Sequence, residues 1–135
     1  MSKSKNLVHL LSNLKPKLNL GEYVYVHIAE SRPELSRHSI MEFKEEEGVT
    51  LIISKVKAIA FELDFEYVAA WITLQVESAL EAVGLTAAIS ASLAKENISC
   101  NIVAGYFHDH IFVNILDAEK ALNNLNNLSK RTINE

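Results

Sequence analysis

Cysteine, glycine and positive charge are all scarce in this chain, and each shortage excludes a class of protein. The single cysteine, Cys100, allows no internal disulfide. The four glycines are too scattered to form a phosphate-binding loop or a dinucleotide-binding pattern. Lysine and arginine number 13 against 17 acidic residues, which argues against a general nucleic-acid binder. No apolar run approaches the roughly 20 residues that a membrane helix needs. The sequence therefore predicts neither a nucleic-acid-binding protein nor a membrane protein.

The residues that are present are typical of a packed domain. Hydrophobic residues make up 49% of the 135 residues and charged residues 22%, which is ordinary for a globular protein with a substantial core. The apolar stretch behind Met1–Lys5 is broken by His9, Ser12 and Asn13, and no small-residue cleavage site follows it. We interpret it as a helix rather than a signal peptide. Together with the lone cysteine, this predicts a cytoplasmic protein.

The first half of the chain is predicted to form a helix, three strands and a short second helix. Apolar residues at helical spacing predict the helices, and runs of branched and aromatic residues predict the strands. Pro16 ends the first helical pattern, and residues 30–38 are predicted to form a loop. The predicted elements are a helix over 7–14, strands over 22–28, 39–44 and 49–53, and a helix capped by Ser54 whose inward side chains are Val56, Ile59, Ala60 and Leu63.

The second half is predicted to run strand, helix, strand, strand, helix, which is the order of a ferredoxin-like unit that lacks its final strand. We therefore predict an α+β fold of two split βαββαβ units, residues 1–65 and 66–135, with antiparallel sheets and helices on one face. Two such units would complete each other by sharing or exchanging an edge strand, and we expect them to pack as one body. The predicted elements are strands over 67–77, 99–106 and 110–115, and helices over 85–97 and from Asp117 onward.

The loop from Ser78 to Thr86 carries the strongest local signal for a binding site. It ends at Gly84 and opens an alanine-rich helix. A glycine at this junction leaves backbone N–H groups that a carboxylate can reach. The residues alone leave two readings open, a carboxylate site or a tight turn in which Thr86 satisfies the backbone. Polar side chains that could contact a ligand, or could equally face water or the backbone, are Glu77, Glu81 and Asn101.

Four segments of the chain resemble a known family: Leu18–Val24, Glu47–Leu51, Ser78–Ala88 and Asn101–Val113. With them the chain is similar to the ACT domain family of small regulatory modules that bind amino acids, and to bacterial proteins of uncharacterised function built from two such units. The resemblance implies a non-catalytic module that senses a free amino acid or a similar small metabolite. It also implies a homodimer that associates edge to edge, no metal or other cofactor, and an enzyme that is regulated in trans.

The resemblance also implies where a ligand would bind. In ACT domains the effector usually lies between the first strand–helix loop and the second strand of a neighbouring unit. Carried over by position, these two segments become residues 81–86 and 101–105 of this chain. The implied ligand-binding residues are Glu81, Ala82, Val83, Gly84, Leu85 and Thr86 on the loop, and Asn101, Ile102, Val103, Ala104 and Gly105 on the strand.

Two other functions remain open. The chain could be an interaction module without a ligand, in which the glycine loop serves only a subunit interface. It could also be a small metal-dependent enzyme that uses His108-Asp109-His110, because alternate residues of a strand face the same side and two imidazoles suit a metal. The same three residues equally fit a polar hairpin turn. Cys100 with His108 is a conceivable nucleophile and base, although a small buried thiol is far commoner.

Overall fold

The computed structural model describes residues 6–76 and 79–134. Its five helices are α1 (Leu7–Ser12), α2 (Pro33–Ser36), α3 (Lys55–Ala60), α4 (Leu85–Lys95) and α5 (Ala118–Asn134), with a 3-10 turn at Ile115–Asp117 before α5. Its seven strands are β1 (Pro16–Leu18), β2 (Tyr23–Ile28), β3 (Ser39–Glu45), β4 (Gly48–Ser54), β5 (Val68–Leu74), β6 (Cys100–Ala104) and β7 (Asp109–Asn114). These counts refer to the described residues.

The chain divides into two compact units. Residues 20–69 form one, here called the central unit, and the residues up to Asn19 join those from Ala70 onward in the other, the terminal unit. In this division α1 and β1 group with the second half of the chain, whereas the sequence prediction of units 1–65 and 66–135 kept them with the first half. A strand and a helix at the start of the sequence therefore contribute to the unit that ends it.

The central unit has the ferredoxin-like strand order β3-β4-β2-β5. Its strands are antiparallel, and β5 contributes its first two residues, Val68 and Ala69, opposite Val24 and Tyr23. The buried side chains of β2 alternate with more exposed ones, as expected when one sheet face is buried, whereas Leu51, Ile52 and Ile53 of β4 are buried in succession. Alternate residues of both strands pack with Leu35 of α2 and Ala58 of α3 into one apolar core.

The terminal unit has the order β1-β5-β7-β6. β1 runs antiparallel to β5, with Pro16 opposite Leu74, and supplies the final strand that the second half of the chain lacks. Helices α1, α4 and α5 pack on one face, where Leu10, Leu93 and Leu125 join alternate residues of β5 and β7 in a single core. The prediction of α+β ferredoxin-like units with antiparallel strands and helices on one face is confirmed.

Several details of the predicted elements are wrong. Val56 and Ile59 are 76% and 59% exposed, Ala60 is also exposed, and the inward residue of α3 is Ala58. The predicted helical pattern extends beyond the real helix, which ends at Ala60. The N–H of Leu63 then donates to the carbonyl of Ala58. Within the predicted loop 30–38, Pro33 begins the single turn of α2.

Two other boundaries also differ from the predictions. Pro16 does end the helical pattern, yet it begins β1, a strand that the sequence reading missed. Asp109 was placed in a turn, but it is the first residue of β7 and is almost fully buried. The turn occupies residues 105–108 instead, closed by a hydrogen bond of 2.8 Å from the N–H of Gly105 to the carbonyl of His108.

Candidate functional site

The start of α4 has the geometry of an anion-binding helix terminus. Gly84 is the N-cap residue, with φ of 100° and ψ of −15°, a left-handed conformation that glycine adopts without steric cost. It offers no side-chain cap, and the first helical hydrogen bond runs from Ala88 N–H to its carbonyl, 2.9 Å away. The N–H groups before Ala88 have no acceptor within the helix, so they can receive a ligand oxygen.

A small cleft of about 60 Å³ opens beside this helix start. One wall is the loop before α4 with the first turn of the helix, and the other is the end of β6 with the turn into β7. Both walls belong to the terminal unit. The lining residues are Ala79, Leu80, Ala82, Leu85, Thr86, Ala104, Gly105, His108 and Asp109.

Five of the eleven predicted site residues line this cleft, and they come from both predicted segments: Ala82, Leu85, Thr86, Ala104 and Gly105. Glu81 and Val83 lie exposed on the loop outside it. The side of Gly84 from which a side chain would project faces α1, because a Cβ placed there would lie 3.2 Å from the Leu7 side chain.

The remaining predicted residues lie further along β6, away from the cleft. Asn101 pairs with Phe112, Ile102 with Ile111, and Val103 with His110. Glu77 and Ser78, which the sequence reading also considered for the site, lie outside the described residues.

Four lining residues of the cleft were not among the predicted ligand-binding residues: Ala79, Leu80, His108 and Asp109. Ala79 and Leu80 belong to the loop from Ser78 to Thr86 that the sequence singled out, but nothing in the local pattern distinguishes them from its other residues. His108 and Asp109 were considered for metal binding or a turn but not for this pocket. A hairpin folds back beside the strand it follows, so the residues just after β6 could have been predicted to extend this wall.

Gly105 in the cleft wall is required for a close approach. A Cβ at this position would lie 2.9 Å from the carbonyl oxygen of His108 and 3.2 Å from Nε2 of His110. The chain's own hairpin therefore occupies the space beside Gly105.

His110 is held by a hydrogen-bond network in the terminal unit. Its Nδ1 accepts a hydrogen bond of 3.0 Å from Nε1 of Trp71 and lies 3.2 Å from the Thr73 hydroxyl. Asn19 in turn donates to Thr73 Oγ1 at 2.9 Å. Burial lowers the pKa of His110 below its ordinary value, the neighbouring His108 lowers it further, and Asp109 raises it.

The described residues contain no group of three or more His, Cys, Asp and Glu side chains placed to hold a metal ion. In the segment considered for metal binding, Nδ1 of His110 is already engaged by Trp71. Cys100 is the first residue of β6, while His108 follows the end of that strand, so about 13 Å of strand separates Cys100 from the hairpin. Burial also raises the pKa of the Cys100 thiol, which disfavours the nucleophilic thiolate.

The central unit has a depression at the topologically equivalent position, between the end of β2 and the β3–β4 turn. Here α2 is a single turn and begins with Pro33, which has no N–H to offer an anion. Carboxylates surround the depression, since its lining includes Glu30, Glu45, Glu46 and Glu47. This charge disfavours a carboxylate ligand, so the terminal unit is the better candidate.

Comparison with protein families identifies the fold. Two family models described as ACT domain match the chain, one over residues 3–70 and the other over residues 66–127. The chain therefore belongs to the ACT domain family, which confirms the resemblance seen in the sequence. No curated protein matches the chain. Among the described helices, none is long and apolar enough to cross a membrane.

Solved structures give the same fold. A protein of unknown function from Vibrio cholerae is 40% identical, with a TM-score of 0.83 over 93% of this chain and 97% of its own. A protein from Agrobacterium tumefaciens is 17% identical, with a TM-score of 0.71 over 87% of this chain and 90% of its own. Aspartate kinase from Clostridium acetobutylicum is 17% identical, with a TM-score of 0.62 over 87% of this chain and 34% of its own.

Proposed function

We propose that this protein is a non-catalytic regulatory module that binds a free amino acid or a similar small metabolite in the cleft of the terminal unit. The observation that carries the proposal is the convergence of the α4 N-terminus and the end of β6 on one cleft, in a chain that belongs to the ACT domain family. Both segments are ones that the resemblance implies for ligand binding.

The chemistry of the cleft suits a carboxylate. Backbone N–H groups at the start of α4 would donate to its oxygens, and a hydrogen bond to a charged group contributes roughly 1.5–3 kcal/mol. The helix dipole adds about 0.3–1 kcal/mol. Because Gly84 has no side chain to cap these donors, no protein group at the N-cap competes with the ligand.

The size of the cleft limits what it encloses. A volume of about 60 Å³ accommodates roughly four to six water-sized groups. That suffices for a carboxylate, its α-carbon and an amino or keto group. A longer side chain would extend beyond this cleft, so the enclosed part recognises the common end of an amino acid.

The regulatory output would be a shift between arrangements of the protein. A ligand shifts such an equilibrium only by its differential affinity for the two states. Structurally similar proteins include aspartokinase III of Escherichia coli, which was solved with aspartate and ADP. For the present chain we propose a homodimer that acts on an enzyme in trans, with an amino acid as the effector.

The test is a thermal-shift screen of the twenty amino acids and common keto acids at millimolar concentration, with Ala104→Leu as the blocking variant. Ala104 is exposed and lines the cleft, so a larger side chain there fills the ligand volume. A ligand at one hundred times its dissociation constant stabilises the folded protein by about 2.7 kcal/mol, which raises the Tm by several degrees. We expect a selective rise in wild type that is lost in Ala104→Leu.

The matched control is Ala91→Leu. Ala91 is exposed on α4 and does not line the cleft, so it carries the same change of side chain without blocking the ligand. It should keep the full ligand-induced rise. A rise that persists in Ala104→Leu would place the ligand elsewhere, and a flat response of wild type across the whole panel would contradict amino-acid sensing.

A second candidate is an interaction module without a ligand, and the surface beside the cleft favours it. Four large apolar side chains are exposed on the loop before α4 and on the hairpin: Leu80, Val83, Tyr106 and Phe107. Exposed apolar groups in proximity are typical of protein contacts. A flat ligand panel, combined with loss of self-association in Phe107→Ser, would favour this function over sensing.

A further inference from the structure

We propose that the imidazole of His110 is a positioning residue, which holds the hairpin wall of the cleft in the geometry that admits a ligand. The consequence for binding rests on the proposed function. The positioning itself does not, because it can be measured on the ligand-free protein. His110 lies on β7, two residues after the turn, and is not among the residues that line the cleft.

The first step is the orientation of the ring. Trp71 Nε1–H donates to Nδ1 of His110 across 3.0 Å, so this nitrogen must carry a lone pair. The neutral ring therefore holds its proton on Nε2. The Thr73 hydroxyl, itself accepting from Asn19, lies 3.2 Å from the same nitrogen. Two side chains of β5 thus fix both the orientation and the tautomer of one ring on β7.

The second step is the contact between this ring and the hairpin. Nε2 of His110 lies 3.2 Å from the position that a Cβ of Gly105 would occupy, so the ring fills the side-chain space of that glycine. Gly105 also closes the turn through its hydrogen bond to His108. Both residues line the cleft. The ring therefore lies between Trp71 and the hairpin wall of the cleft. Loss of its hydrogen bond to Trp71 would allow the ring and this wall to move.

The third step is the response to protonation. A proton on Nδ1 would oppose the Trp71 N–H and remove its acceptor. The pKa of His110 is lowered, first by burial and then by His108, while Asp109 raises it. The adjoining strands β5 and β6 carry no charged residue, and Cys100 is their only titratable group. The depressed pKa means that this contribution to stability is present above the unfolded-chain pKa and is lost as the pH falls through the folded value.

The test compares amide hydrogen exchange in ligand-free variants. His110→Leu removes the acceptor for Trp71, and Trp71→Phe removes the donor while keeping an aromatic ring. A lost hydrogen bond of this kind corresponds to about a tenfold change in local opening. We expect amides of residues 105–109 to exchange about tenfold faster in both variants, while amides of Ile89 to Leu93 in α4, a helix that packs into the core of the same unit, report that the terminal unit remains folded.

The conservative variant separates positioning from general packing. His110→Asn keeps an acceptor oxygen close to the Nδ1 position and cannot titrate, but it lacks the part of the ring beside Gly105. It should therefore slow the exchange of the hairpin relative to His110→Leu. His38→Asn is the matched control, because His38 is exposed in the central unit and its replacement should leave hairpin exchange unchanged. Slow hairpin exchange in both His110→Leu and Trp71→Phe would overturn the proposal, as would exchange in His110→Asn that is as fast as in His110→Leu.

Fluorescence gives a second readout, since Trp71 is the only tryptophan in the chain. An adjacent imidazolium quenches indole emission. As the pH is lowered, the fluorescence emission of wild type should therefore fall with a midpoint below the ordinary histidine pKa of 6.5. His110→Asn should abolish this step. A step that survives in His110→Asn would contradict the pairing. None of these experiments includes an amino acid ligand. The absence of any ligand-induced rise in Tm would therefore contradict the proposed function without affecting the positioning result.

Discussion

At the residue scale, the phenol of Tyr25 is strongly perturbed by its surroundings. Burial, followed by the proximity of Tyr67, raises the pKa of Tyr25 to about 12. The two rings meet edge to face with centroids 5.9 Å apart. A raised pKa means that the neutral phenol is favoured in the folded state. Its contribution to stability is therefore complete below the unfolded-chain pKa and is lost as the pH rises through about 12.

This shift predicts a late step in the alkaline titration of the protein. Ultraviolet absorbance of tyrosinate should show Tyr25 ionising well after the ordinary tyrosine range near pH 10. Tyr25→Phe should remove that late step. Tyr106→Phe is the control, because Tyr106 is 71% exposed and its replacement should leave the late step in place. A titration of the wild type without a late step would contradict the burial of Tyr25.

The candidate site shows how far single residues could be read from sequence. Gly84 was identified as the turn that opens α4, and its left-handed backbone bears this out because few other residues tolerate it. The sequence did not show on which side of Gly84 the cleft opens. That side depends on Leu7, which packs against Gly84 and lies far away in the chain. Gly84→Trp would therefore clash with α1 and test the fold, whereas Ala104→Leu tests the cleft.

At the scale of elements, α4 and α5 are joined by a buried polar pair. Ser92 donates to Oδ1 of Asn124 at 2.7 Å, and Asn124 donates back to the Ser92 carbonyl at 3.0 Å. Both side chains are buried. Ala121 and Leu125 lie in the core, as expected from their apolar spacing along α5, but that spacing gives no reason to bury an asparagine. The reason is its partner on α4, 32 residues away.

Asn124→Ala should therefore destabilise the protein by about 2 kcal/mol, because it leaves the Ser92 hydroxyl and carbonyl buried without this partner. Asn126→Ala, an exposed position on the same helix, should change the free energy of unfolding by about 0.5 kcal/mol or less. Urea denaturation followed by circular dichroism measures both. Equal effects of the two replacements would show that the pair contributes nothing beyond helix propensity.

At the scale of the whole molecule, the two outer strands differ in how well they are protected from pairing with another chain. Strand β3 is an edge of the central unit, carries charged residues and has an irregular register between Ser39 and Met41. Strand β6, an edge of the terminal unit, carries neither charge nor proline. Charges and irregularities normally prevent edge-to-edge association. The predicted homodimer would therefore form through β6 rather than β3.

This assignment predicts that Asn101→Lys, which places a charge on the β6 edge, raises the dissociation constant of the dimer about tenfold or more, because a charged side chain on an edge strand disfavours pairing with another strand. Phe43→Lys adds the same charge to β3 and should leave the dimer intact. Light scattering across a dilution series measures both. A monomeric wild type, or a dimer disrupted by Phe43→Lys but not by Asn101→Lys, would reject the β6 edge.

The sequence by itself determined the local structure and the family. Apolar spacing predicted most of the helices and strands, and the four resembling segments identified an ACT domain protein. Both kinds of signal are carried by residues that are close together in the chain. Tertiary structure alone decided that β1 completes the sheet of the terminal unit, that Ala79 and Leu80 reach the cleft, and that His110 is clamped between Trp71 and the hairpin. These features require contacts between residues far apart in the chain, and local periodicity carries no information about them.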